Sequence, residues 1–310
     1  GDRTIDLSDE KAEAMQTRLT YELRAYHTAA WGDHQTSLTA VLNAMESTSS
    51  EPQKFLEAVE HRNLGFSMRG TYGFKDRYFV EASFGYNGSE RFAKKHKMGF
   101  FPAAGVAYVI SSEPFMAGAA NWLPYLKFRA SYGKVGNDGI INTPRFVHLP
   151  EVLATSVRSL QPGQQDAKAW TVRNYADENI KWEIAEQVNF GLEAKMFKGI
   201  MEFTLDAYQE IRHNILSYRL VIPSHVGIEQ NQLDNIGKVR SRGIDFSGKI
   251  QHAFSPDLWI ILNGTFTYNK AVYMSLEEAA DKPEWQRKKG HEISQQVGEE
   301  NIYIFGQTSD

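Results

Sequence analysis

The chain is 310 residues long, with 34 Lys and Arg against 38 Asp and Glu, a formal net charge of -4 and no cysteine. So even a charge balance gives no footprint for nucleic acid or an acidic surface, and the lack of cysteine excludes a disulfide framework and a thiolate metal site. No stretch reaches the ~18 consecutive apolar residues of a membrane-crossing helix.

The first strand is expected near Thr17 to Trp31, where Leu19, Tyr21, Leu23 and Ala25 alternate with Arg18, Thr20, Glu22 and Arg24. A period of two sends such sets to opposite faces. The tight turn Gly32-Asp33-His34 leads to a second strand near Ser37 to Met45, followed by a polar link over 46–61. The third and fourth strands make the clearest hairpin. Leu64, Phe66, Met68, Gly70, Tyr72 and Phe74 share one face; beyond Lys75-Asp76-Arg77, so do Tyr78, Val80, Ala82, Phe84 and Tyr86. A charged loop over 87–97 precedes the fifth strand, Gly99 to Ser111, and a short Glu113-Pro114 link carries a helical turn over Phe115 to Asn121.

In the sixth strand Leu126, Phe128, Ala130 and Tyr132 oppose Lys127, Arg129, Ser131 and Gly133. An irregular stretch from Lys134 to Lys181 separates it from the seventh, Ala185 to Met196. A Phe197-Lys198-Gly199 turn feeds the eighth, Met201 to Ala207, and a long link from Gln209 to Gly237 precedes the ninth, around Ile244 to Ile250. Ser255-Pro256-Asp257 then turns into the tenth, Leu258 to Asn269, and the charged tail from Leu276 to Lys289 reads as helical or irregular.

About ten strands of about ten residues, joined by turns that go short, long, short, long, carry the pattern of an all-β, antiparallel transmembrane β-barrel. In that reading the short turns face the periplasm, and the loops near 46–61, 87–98, 134–181, 209–237 and from 270 onward lie together outside. Aromatic residues make up 12% of the chain, which suits interfacial girdles. A mean hydropathy of -0.45 fits as well, because lumen-facing polar residues dilute the lipid-facing ones. Roughly fifty residues of loop would count against a compact soluble domain. The alternative is a soluble β-sandwich or carbohydrate-binding module, with the apolar faces turned into a core. Gly1-Asp2-Arg3-Thr4 carries no apolar leader and Gln307-Thr308-Ser309-Asp310 no aromatic closing strand, so the chain reads as a segment of a longer protein.

Several runs resemble the SusC/RagA family of TonB-dependent outer-membrane transporters. They are Asp76 to Phe79, Gly85 to Lys94, Gly99 to Ala103, Leu126 to Asp138, Ile180 to Glu183 and Val188 to Glu193. Arg212 to Leu216, Ile222-Pro223, Asn235 to Gly237 and Ser241 to Asp245 are similar to the same family. The sequence departs from it at Asp177-Glu178, where Asn-Pro is frequent, and holds nothing like the family's plug, TonB-contacting segment or closing strands. The resemblance implies that residues 1–310 are one β-barrel segment, about ten strands of a 22-stranded type. It implies a parent in the Gram-negative outer membrane that imports glycans or peptides captured by a SusD-like surface lipoprotein. The TonB complex would act through the missing plug, and outer-membrane lipid would surround the wall. Neither a cofactor, nor a nucleic-acid partner, nor enzymatic bond chemistry is implied.

The residues offer little catalytic chemistry. His61, His96 and His213 sit apart, without His-x-x-x-His spacing, so no metal site is read. Glu183 with Glu186, or Asp138 with Glu183, would serve a glycosidase only at a fixed separation, and nothing selects them among the acids. Ser131 and Ser241 lack a nucleophile elbow, and Gly133-Lys134-Val135-Gly136 lacks the rest of a phosphate loop. Asn87-Gly88-Ser89 and Asn263-Gly264-Thr265 match glycosylation sequons by coincidence. The basic run Arg91, Lys94, Lys95, His96 and Lys97 reads as a solvated loop, with lipopolysaccharide phosphates or an anionic substrate as the functional alternative. Trp122, Trp170 and Trp182 are explained equally by sugar stacking and by packing. No catalytic, metal-binding or substrate-binding residue is singled out.

Overall fold

The computed structural model describes residues 16–49, 60–139, 146, 148–157, 167–219, 232–255, 257–279 and 281–293. The strands, in chain order, are β1 (Gln16–Trp31), β2 (His34–Ser49), β3 (His61–Phe74), β4 (Tyr78–Ser89), β5 (Met98–Val109) and β6 (Tyr125–Asn137). They continue as β7 (Glu151–Val157), β8 (Ala167–Asn174), β9 (Glu183–Met196), β10 (Met201–Tyr218), β11 (Leu233–Ser255) and β12 (Leu258–Ser275). Ten of them form one antiparallel sheet in the order β1-β2-β3-β4-β5-β6-β9-β10-β11-β12, and β7 pairs with β8 in a separate sheet.

The expected ten-strand meander is present, with corrections at its loops. The stretch from Lys134 to Lys181 is not irregular throughout: β6 runs on to Asn137, and the β7–β8 hairpin lies within it. Within 209–237 the described residues are almost all strand, since β10 continues to Tyr218 and β11 starts at Leu233. Past Ala207 polar residues enter both faces, Gln209 outward and Glu210 and Arg212 inward, and the alternation fades, yet the backbone ladder continues through Gln209↔Arg242 and Arg212↔Val239. Link lengths do not alternate strictly either. The link over 110–124, with its two 3₁₀ turns, is longer than the loop over 90–97 at the other end. Most of the 46–61 link, the Ile222-Pro223 run, Pro256 and both chain ends lie outside the described residues.

Register fixes the faces. Leu38, Gly70, Ala82 and Ala104 follow one another across β2 to β5, and Phe128, Leu192, Leu205 and Phe246 across β6 to β11. This face is apolar and exposed, with Leu64 at 52%, Phe100 at 58% and Phe266 at 60%. No second layer covers it among the described residues, which is the reverse of a sandwich. An uncovered apolar face of this extent is stable against lipid, whose chains take the place of a protein core.

The short-turn rim carries a ladder of rings on the same face. Trp31 stacks on His34 at 5.7 Å, His34 lies 4.9 Å from Phe74, Phe74 6.4 Å from Tyr78, and Tyr78 stacks on Tyr108 at 5.0 Å. Lys75 and Asp76 have φ of 54° and 50°, the left-handed backbone of a tight hairpin turn. Backbone bonds join neighbouring turns laterally, Lys75 N–H to Asp33 O and Val109 N–H to Arg77 O, each at 2.8 Å. The outer edge of β1 is unpaired among the described residues, whereas β12 meets residues 289–293 through Ile293 N–H to Ala271 O at 2.9 Å. These strands are therefore an open section of wall.

Candidate functional site

The opposite face is concave and polar. Its open hollow, about 1110 Å³, is lined in part by Ser37, Thr71, Phe79, Ser83, Ser131, Gln187 and Asn189. Over β3 to β5 most of the lining is small, with Phe79 and the Arg69–Glu81 pair as exceptions. From β6 to β10 it bears charge, because Lys127, Arg129, Glu193, Lys195, Glu202, Asp206, Glu210 and Arg212 occupy the alternate positions.

These charges neutralise one another. Arg69 grips Glu81 bidentately, with Nε and Nη2 donating at 2.9 and 2.6 Å. Arg129 reaches Glu193 at 3.0 Å and donates from Nη2 to both oxygens of Asp206, at 3.0 and 2.8 Å. That last contact spans a whole strand. Gly191 of β9 lies between Arg129 of β6 and Asp206 of β10, and a Cβ there would come within 2.5 Å of Arg129 Nε. Only glycine leaves the two side chains room to meet. Lys195 pairs with Glu202 at 3.4 Å, and Arg212 with Glu183 at 3.4 Å and Glu210 at 3.0 Å.

At the long-loop rim a small core closes over the wall. Phe92, Phe101, Ile180, Trp182 and Leu233 are buried together, with Ile184 and Leu216 against them. The Trp182 ring lies 5.2 Å from both Phe92 and Phe101, and its Nε1–H donates to His96 O at 3.1 Å. Asn235 clamps the adjoining loop. Its Oδ1 accepts from Lys181 N–H at 2.9 Å, and its Nδ2 donates to Lys181 O and Asn214 O at 3.0 and 2.7 Å. Asn214, at φ 57°, stands where the β10–β11 register shifts, so the clamp also pins a bulge.

The residues weighed from sequence fall into these parts. Trp182 is core, not a sugar platform. Trp122 is half-exposed in the link at the opposite rim, and Trp170 is 74% exposed on β8. Glu183 and Glu186 stand three apart on β9 and so face opposite sides: Glu183 pairs with Arg212 in the concavity, Glu186 with Lys134 at 2.8 Å and His213 at 3.6 Å on the convex face. In the basic run Lys95 donates to Asn179 Oδ1 at 2.8 Å and the Arg91 carbonyl lies 3.0 Å from His148 Nδ1, so the run fastens loops together. Ser131 lines the hollow and Ser241 binds Asn269 Oδ1 at 2.6 Å. The Arg129–Gly191–Asp206 bridge escaped sequence reasoning. Its signal was there in the charged partners placed on the polar faces of the sixth and eighth strands, but only register shows that they meet.

A wall that is apolar outside, polar and ion-paired inside, ringed with aromatics at one rim and looped at the other, defines a section of an outer-membrane β-barrel. The chain belongs to the TonB-dependent receptors: residues 3–295 match the family described as TonB dependent receptor-like, beta-barrel. It is therefore a protein of the Gram-negative outer membrane. Among curated relatives it is 27% identical over 235 residues to TonB-dependent receptor P3 of Formosa agariphila, covering 76% of this chain and 22% of that protein. It is 25% identical over 237 residues to TonB-dependent receptor SusC of Bacteroides thetaiotaomicron, covering 76% and 23%. The chain thus spans about a quarter or less of the relatives it matches. In fold it is similar to the RagAB peptide transporter, with a TM-score of 0.71 and 20% identity over 90% of this chain and 33% of that one. The Escherichia coli outer-membrane transporter YddB shares the fold at a TM-score of 0.57 and 12% identity, covering 84% and 34%.

Proposed function

We propose that the chain is part of the barrel wall of an importer of the SusC/RagA type, with its long-loop rim outside and its concave face along the substrate path. A SusD-like lipoprotein delivers the substrate to that rim, and the TonB complex drives transport through a plug held elsewhere in the parent protein. The observation that carries this reading is the opposition of the two faces. Lipid requires the apolar one, and a hydrated path requires the polar one.

The favoured substrate is an oligosaccharide. The lining offers hydroxyl and amide groups from Ser37, Thr71, Ser83, Ser131, Gln187 and Asn189 beside the ring of Phe79. Its strongest charges are engaged with each other, Arg69 with Glu81 and Arg129 with Asp206. A neutral ligand rich in hydroxyls suits such a wall better than one needing free ion partners. The test uses cells in which the full-length parent is the sole importer. Uptake of a labelled oligosaccharide pool should require both TonB and the parent, and unlabelled oligosaccharides should compete at least ten-fold better than a mixed oligopeptide pool. Competition by peptides alone would overturn the substrate class. Uptake that survives deletion of TonB would overturn the transport reading.

A further inference from the structure

The convex face changes character along β11. Above His252, near the short-turn rim, its outward residues are Ile250, Gly248, Phe246 and Ile244, and then Arg242, Arg240 and Lys238. The apolar band gives way at once to three cations spaced two residues apart, and therefore on one face. Lys270 of β12 stands directly opposite Arg242, a like-charge cross-strand pair of the kind that destabilises a sheet. From β10, among the described residues, the help is neutral: Arg242 Nε donates to Gln209 Oε1 at 2.6 Å.

Elsewhere on this outward rim the chain neutralises its own cations. Arg62 pairs with Glu46 at 3.2 Å and with Glu60, Lys134 with Glu186 at 2.8 Å, and Lys270 itself with Glu292 at 2.8 Å. Among the described residues Lys238, Arg240 and Arg242 form no salt bridge. The ladder therefore presents a concentrated positive field just above a lipid-facing surface of Ile244, Phe246, Phe266 and Tyr268, all well exposed.

We infer that this ladder is a binding site for the phosphates of lipid A, the phosphorylated and acylated disaccharide of the outer leaflet. This rests on the long-loop rim facing outside. Planar guanidiniums grip phosphate oxygens in pairs, and acyl chains attached to the same disaccharide would run down over Ile244 and Phe246. One molecule then satisfies both halves of the patch, as no free phosphate ion does. A basic residue beside an anionic leaflet strengthens binding about five-fold, so neutralising all three should weaken it about a hundred-fold.

The test uses the full-length parent in nanodiscs of neutral phospholipid, titrated with lipid A, with enzymatically dephosphorylated lipid A and with inorganic phosphate. Wild type should bind lipid A, bind the dephosphorylated form at least ten-fold more weakly, and show no competition from millimolar phosphate. The variant Lys238→Gln/Arg240→Gln/Arg242→Gln should lose lipid A binding, whereas Arg62→Gln, which removes a paired cation of the same rim, should keep it. Should the triple variant fail to insert, the comparison of the two lipid A forms on wild type still decides. Equal binding of both forms, or full binding by the triple variant, overturns the site. Orientation is read separately by labelling Asp177→Cys and Asp33→Cys on intact cells with an impermeant maleimide. Labelling at position 33 alone overturns the outward placement of the long-loop rim. Labelling at 177 alone without phosphate-dependent binding overturns the lipid A site only.

Discussion

The two rims of this wall are held by different kinds of contact. At the short-turn rim the ring contacts join neighbours, Trp31 to His34 across one turn and Tyr78 to Tyr108 across one ladder, and backbone bonds tie adjacent turns, Lys75 to Asp33 and, over 75 positions, Phe197 to Trp122. At the long-loop rim the contacts cross great distances in sequence. Trp182 reaches His96 over 86 positions, His148 reaches Arg91 over 57, and Lys181 reaches Asn235 over 54. Local contacts form as each hairpin closes, while distant ones must await the strands between them and carry their loop-closure entropy. The ring stack of the short-turn rim therefore rests on adjacent strands, with backbone bonds added between turns, whereas the buried core of the long-loop rim is a property of the assembled wall.

The severest way to break this contrast is Trp182→Ala. It removes a buried indole packed between Phe92 and Phe101 and frees the His96 carbonyl. Truncating a buried aromatic of this size costs about 3–5 kcal/mol. The loss should stay local: in the full-length protein in detergent, protease should cut first within 91–97 and 176–182 while the strands stay protected. Protection of both loops in the variant would mean that the core does not hold them.

Asn235→Ala strikes the same rim more gently. Three hydrogen bonds disappear, two to Lys181 and one to the bulge at Asn214. At about 1 kcal/mol for each bond, discounted for their partial exposure, a loss of about 1–2 kcal/mol is expected. Hydrogen exchange at the Lys181 amide should accelerate about ten-fold, with the amides of β3 and β4 unchanged. At the opposite rim, Tyr78→Phe deletes one hydroxyl that donates to Glu113 Oε1 at 2.6 Å and leaves the stack on Tyr108 intact. About 0.5–1 kcal/mol is expected in a urea titration. A larger loss than that of Asn235→Ala would invert the comparison.

The contrast also decides what could be read in advance. The hairpin around Lys75-Asp76 was legible because outward and inward residues there differ in polarity and the turn is short. The ends of β10 and β11 were not, since Gln209, Arg240 and Arg242 stand outward above the apolar band and put polar residues on both faces. Alternation reports a difference between two environments, and where water bathes both sides it has nothing to report. Trp182 was visible as a residue but not as core, because its partners Phe92, Phe101 and Leu233 come from separate loops and strands. The family runs from Gly85 to Lys94 and from Ile180 to Glu183 now acquire a physical role, since both supply members of that core.

The faintest expected effect lies just past β12, where a loop folds back onto the strand edge under the control of one carboxylate. Burial pushes the pKa of Glu278 up. The backbone N–H groups of Lys288 and Lys289, donating at 2.8 and 3.2 Å, and the Lys282 ammonium at 3.1 Å outweigh it and hold the group below the ordinary carboxylate value. A depressed pKa in the folded state contributes stability that is whole above the ordinary carboxylate value and is lost as pH falls through the lower folded value. Protection of the Gly290 and Ile293 amides, which donate to Tyr273 O and Ala271 O, should be flat from neutral pH to about 5 and decline below the ordinary carboxylate range. Exchange corrected for its intrinsic pH dependence measures this. Glu278→Gln should show weaker protection with no such decline, because a neutral amide keeps the shape but neither titrates nor accepts as strongly. A decline of equal size in wild type and variant would place the titrating group elsewhere and remove Glu278 as the fastener of this edge.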